Sequence, residues 1–82
     1  MNKSIHDSDY KLLISLLRSK RESLKITQEH LAELLAVKQT VVSKIETCER
    51  RIDVIELRRI CTALKISFVD FISEFEIILN HD

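Results

Sequence analysis

Apolar residues along this chain recur with helical spacing in five stretches, separated by short polar breaks. Tyr10, Leu13, Ile14, Leu17 and Leu24 form the first stripe, which predicts a helix from about residues 7–9 to 24 with Ser8 as its N-cap. Leu12 and Leu16 sit off that stripe and predict a second apolar contact. Leu31, Ala32 and Leu35 mark a short second helix over about 28–35, opened by Thr27 as N-cap. Val42 and Ile45 mark a third over about 38–47, and residues 47–51 read as a loop. Leu57, Ile60, Cys61 and Leu64 follow the i, i+3, i+4, i+7 pattern in a fourth, and Asp53 with Glu56 supplies its capping box. Ser67 opens the fifth, over about 68–80, where Phe68, Phe71, Ile72, Phe75, Ile78 and Leu79 cover a wide apolar arc.

Composition supports an all-α, five-helix reading. Glycine and proline are both absent, so tight β-hairpin turns are disfavoured. The 82 residues suffice for one domain with one modest core, placed at 8–80 after a flexible N-terminal arm at 1–7. No apolar run is long enough to span a bilayer, and the first residues lack the apolar core of a signal peptide. A cytoplasmic protein with no membrane partner is expected. Cys48 and Cys61 form no C-x-x-C pair and fit reduced thiols, the second in the core.

No chemistry of catalysis stands out. His6, His30 and His81 lack ligand spacing, so no metal is assigned. There is no nucleophile–base–acid pattern, no paired carboxylates and no phosphate-cradling glycine loop. No catalytic residue, cofactor or small-molecule ligand is assigned. Net charge is zero, which by itself argues against nucleic acid. Its distribution differs from its sum. Residues 18–59 carry ten Lys/Arg against seven Asp/Glu, whereas from residue 68 onward there are four acids and no Lys or Arg. The middle is basic and the tail acidic.

Helices 2 and 3 are short and joined by about three residues, the spacing of a helix-turn-helix. With Val42 and Ile45 inward, the outer face of helix 3 carries Gln39, Thr40, Ser43 and Lys44. These are short donors and acceptors suited to base edges, where a carboxylate would repel phosphates.

The stretch I-T-Q-E-H-L-A-E-L-L-A-V-K-Q-T-V-V-S-K-I-E-T-C-E-R-R-I-D-V-I-E-L resembles the XRE/Cro–phage-repressor family of helix-turn-helix regulators. Gln28, Ala32, Val37, Val42, Ser43, Ile45, Glu46, Glu49, Arg50, Arg51 and Leu57 carry the resemblance, which extends over about two thirds of the chain. It implies a compact lambda-repressor-like five-helix bundle whose third helix reads double-stranded DNA as part of a homodimer on an inverted repeat. By that resemblance Gln39, Thr40, Ser43 and Lys44 face bases. Gln28, Lys38, Arg50 and Arg51 approach phosphates, Gln28 also bracing Gln39. Arg18 or Arg21 is structural or phosphate-facing. The family commonly has glycine where this chain has Lys25, Ala36, Cys48 and Lys65. That departure implies either strained left-handed turns or turns that avoid positive φ.

The arc of helix 5 exceeds what one small core needs, so Phe71, Ile72, Phe75, Ile78 and Leu79 are assigned to a dimer interface. The leading function is a dimeric repressor or autoregulator. An antitoxin or restriction–modification controller of the same fold stays open, as does a helical protein–protein adaptor, which the zero net charge motivates.

Overall fold

The computed structural model describes residues 3–80, with side chains over 8–80. Met1, Asn2, His81 and Asp82 lie outside that range. The elements are α1 (Lys3–Ser23), α2 (Gln28–Leu35), α3 (Gln39–Glu46), α4 (Val54–Ala63) and α5 (Phe68–Leu79). No strand occurs among the described residues.

Local signals open three of the helices. Thr27 Oγ1 accepts from the His30 N–H at 3.0 Å, and Ser67 Oγ accepts from the Asp70 N–H at 3.1 Å. At α4 the capping box closes in both directions. Asp53 Oδ1 accepts from the Glu56 N–H at 2.7 Å, and Glu56 Oε1 accepts from the Asp53 N–H at 3.2 Å. Each cap is worth about 1 kcal/mol. The first helix departs from expectation. It begins at Lys3, so Ser8 lies inside it and is not its N-cap. No proline or glycine precedes Ser8 to stop the helix there.

All four connections after α1–α4 turn through a left-handed residue, and none is glycine. Lys25, Ala36, Cys48 and Lys65 have φ of 59°, 57°, 65° and 59°. The same pair of hydrogen bonds surrounds each. After α2, for example, the Val37 N–H donates to the Ala32 carbonyl at 3.0 Å and the Ala36 N–H to the Glu33 carbonyl at 3.1 Å. This is the Schellman closure, which satisfies the last carbonyls of the helix. Three of the residues that follow, Ile26, Val37 and Ile66, are apolar, as the motif prefers. Strained left-handed turns are therefore the correct branch of the sequence expectation. A Cβ there costs roughly 1 kcal/mol. Cys48→Gly is expected to leave stability unchanged or raise it by up to about 1 kcal/mol in urea unfolding; a clear loss would contradict the turn assignment.

The core joins Ile14 and Leu17 of α1, Leu31 and Ala32 of α2, Val42 and Ile45 of α3, Leu57, Ile60 and Cys61 of α4, Leu64, and Phe71 of α5. Leu16 packs against this core, while Leu24 is 46% exposed and does not complete the first stripe. Its place is taken by Arg21, a charged residue that is itself buried. Cys61 is fully buried, and burial pushes its thiol pKa up, so it stays neutral as a small core residue.

Phe71 corrects the assignment of α5. It is 2% exposed and belongs to the protomer's own core, not to an interface. Phe75, Ile78 and Leu79 are half-buried, and Ile72 is 37% exposed. Val69, 70% exposed and three residues before Ile72, joins Ile72 and Leu79 along the outer side of the helix.

Candidate nucleic-acid interface

Helices α2 and α3 pack on each other and α3 also touches α1, so α3 is held from two sides. Val42 and Ile45 anchor it in the core. Gln39, Thr40 and Lys44 are exposed and Ser43 is half-buried. The residues assigned to base reading thus lie together on the accessible side of one short helix. Lys38 is exposed at its N-cap and makes no side-chain capping bond.

A chain of side chains runs from the core to this surface. Arg21 and Glu46 pair bidentately, with Nε to Oε2 at 2.6 Å and Nη2 to Oε1 at 2.9 Å. Their side chains are 8% and 5% exposed. Arg21 Nη1 also donates to the Ile26 carbonyl at 2.6 Å, tying α1 to the turn before α2. These bonds to Glu46 hold the Arg21 pKa above its ordinary value despite burial, so Arg21 stays charged at any ordinary pH. Gln28 Nε2 donates to Glu46 Oε1 at 2.8 Å, and Gln39 Nε2 donates to Gln28 Oε1 at 2.7 Å.

The direction of this chain is dictated at its buried end. An ionised carboxylate only accepts, so Gln28 must turn its NH₂ to Glu46 and its carbonyl oxygen to Gln39. Gln39 then answers with an N–H. Its own Oε1 and its second N–H are left for a ligand, an acceptor and a donor side by side. Arg18 is half exposed, 3.3 Å from Glu22 and a more distant 3.9 Å from Glu46. The alternative left open for the two arginines resolves with Arg21 as the structural one.

The loop after α3 is held at both ends. Arg50 Nη2 donates to Glu56 Oε2 at 2.7 Å, and Arg50 Nη1 is buried without a partner. Arg50 is therefore engaged by the α4 capping box, so contact with a phosphate would have to draw on or compete with that pair. Its hydrogen bond, helped by the Asp53 N–H, holds the Glu56 carboxyl below its ordinary pKa. The stability this adds is complete above the ordinary glutamate pKa and is lost as pH falls through the lowered one. Arg51 lies over the Tyr10 ring, 4.4 Å from its centroid, and Tyr10 Oη accepts from the Ile52 N–H at 3.1 Å.

Sequence reasoning placed the exposed face of α3 and the Gln28 brace on Gln39, and missed the buried pair that anchors that brace. Glu46 figured only as a matching position, and Tyr10 only as a member of the first stripe. Their partners lie 25 and 42 residues away, which no periodicity reports. Among the described residues, no cluster of three or more His, Cys, Asp or Glu could hold a metal ion, and no helix is long and apolar enough to cross a membrane.

Five helices with a short α2–α3 pair and an accessible polar α3 define a helix-turn-helix protein. The helix-turn-helix family profile matches residues 17–71. The chain is 38% identical to an XRE-family like protein from Pseudomonas syringae pv. tomato, over 93% of each chain and with a TM-score of 0.87. It is 26% identical to the clp gene regulator ClgR from C. glutamicum, over 90% of this chain and 96% of that one, with a TM-score of 0.77. No curated protein matches it in sequence. The chain belongs to the XRE family of helix-turn-helix DNA-binding regulators.

Proposed function

We propose that this protein is a dimeric repressor or autoregulator that inserts α3 into the major groove of an inverted-repeat operator. The observation that carries this reading is the polarised chain from Arg21 through Glu46 and Gln28 to Gln39. It delivers an acceptor and a donor on one exposed amide, which is the pattern that pairs with N6 and N7 of adenine. Thr40, Ser43 and Lys44 read neighbouring positions. Lys38, Arg51 and the second N–H of Gln28 reach phosphates, with Arg50 beside them. The N-terminus of α3, lacking a side-chain cap, offers further N–H groups to the backbone of the DNA. Two such helices about one DNA turn apart suit a palindromic site.

Dimerisation is assigned to the outer side of α5, through Val69, Ile72 and Leu79 with Phe75 and Ile78 behind them. Asp70, Glu74 and Glu76 keep that end acidic, away from DNA. A protein near zero net charge needs focused phosphate contacts, so binding is expected to weaken steeply with added salt.

The experiment is selection of bound fragments from genomic DNA, followed by affinity measurement on the recovered site. Gln39→Ala is expected to lose about 1–3 kcal/mol there and to relax preference at one base pair. If the variant keeps the wild-type preference at every position, Gln39 is not a base reader. A helical adaptor that binds protein would give no saturable, salt-sensitive retardation of any fragment.

A further inference from the structure

We infer that Tyr10, a residue of α1 outside the helix-turn-helix unit, is a positioning residue for the phosphate-contacting loop between α3 and α4. The inference rests on the DNA-binding reading above and adds a residue to it. Two separate contacts converge on this one side chain. Its hydroxyl oxygen accepts the Ile52 N–H at 3.1 Å, and its ring lies 4.4 Å beneath the Arg51 guanidinium carbon. Ile52 and Arg51 are adjacent, so Tyr10 holds the backbone at one residue and the cationic head at the next.

The physical consequence is directional. The loop over residues 47–53 has no regular structure of its own. An arginine side chain there has several rotatable bonds to fix before it can donate to a phosphate. Stacking on an aromatic face confines the guanidinium to a plane. The hydrogen bond from Ile52 fixes the height of the chain beneath it. Arg50 is tethered at the other side by Glu56. The loop is thus pinned between α1 and α4, with Arg51 ordered before DNA arrives. Tyr10 touches no part of α2 or α3's polar face in this scheme, so its effect falls on phosphate contact and not on base choice.

The test is the salt dependence of binding to the selected operator, measured by fluorescence anisotropy on the full chain. Arg51→Ala should weaken binding to all sequences alike and make the slope of log K against log salt shallower by about 1 per protomer. Tyr10→Leu should reproduce most of that change in slope, and Tyr10→Phe, which keeps the ring but loses the Ile52 hydrogen bond, should restore only part of it. The double variant Tyr10→Leu/Arg51→Ala should match Arg51→Ala alone. A purely structural tyrosine would instead lower affinity without altering the slope, and would do so additively with Arg51→Ala; that result overturns the proposal and leaves the DNA-binding reading intact. If Arg51→Ala itself leaves the slope unchanged, Arg51 is not a phosphate contact and the proposal falls with it. A measurement on the unaltered protein guards against a variant that fails to fold. The Arg51 side-chain protons should resonate upfield, shifted by the ring current, and ordinary shifts would contradict the stacking.

Discussion

Glu46→Ala is expected to destabilise the domain by about 3–5 kcal/mol, the largest effect of any polar substitution in the chain. The carboxylate it removes is 5% exposed and accepts three hydrogen bonds, two from Arg21 and one from Gln28. Alanine leaves the buried Arg21 guanidinium with only the exposed Glu22 carboxylate, 3.9 Å away, to offset its charge, and the Gln28 amide without a direction. A small domain has about 5–15 kcal/mol in total, so the loss will show as a large fall in urea midpoint. A variant within about 1 kcal/mol of wild type would mean that the pair is more solvated than its burial implies. Replacing both partners separates stability from function. Arg21→Met with Glu46→Leu fills similar volume without charge, and such replacements are often neutral or stabilising. The double variant should therefore regain most of the lost stability. Nothing would then polarise Gln28, so its preference at the base pair read by Gln39 should stay relaxed.

Phe71→Ala is expected to cost about 3–5 kcal/mol through the cavity it leaves. Because Phe71 is 2% exposed within a single protomer, the loss should not depend on protein concentration. Ile72→Glu makes the contrasting case. Its side chain is accessible, so protomer stability should change little while the sedimentation profile shifts toward monomer and operator affinity falls. If Phe71→Ala spared the monomer and dissociated a dimer, the division of α5 into an inner and an outer side would be wrong.

The contrast between these two neighbours marks where sequence is informative. Spacing identified α5 as a helix with too wide an apolar arc, but Phe71 and Ile72 are equivalent in that pattern. Only the seating of α5 against α1 and α4 decides which one is covered. Caps were legible because their chemistry is local: Thr27, Asp53 and Ser67 each bond an amide three residues on. The start of α1 was not, since Ser8 can cap a helix or sit within one. Leu24 was assigned to a stripe that in fact continues through Arg21. An arginine reads as solvent-facing unless its partner is known, and Glu46 is distant in sequence. The missing glycines were visible. What they concealed is that Schellman hydrogen bonds hold four other residues in left-handed geometry. The candidate DNA face was legible in position, through Gln39, Thr40, Ser43 and Lys44, and in its first support, Gln28; the Arg21–Glu46 pair behind Gln28 was not.

The account turns on α3 occupying the major groove with the Gln39 amide aimed at a purine. Replacing purines of the selected operator one at a time by their 7-deaza analogues deletes a single major-groove acceptor and leaves the minor groove and phosphates as they were. Binding should fall by about 1–3 kcal/mol at one adenine in each half-site, and Gln39→Ala should be insensitive to that same replacement. Undiminished binding at every position would contradict the account, because it would place the recognition helix outside the groove.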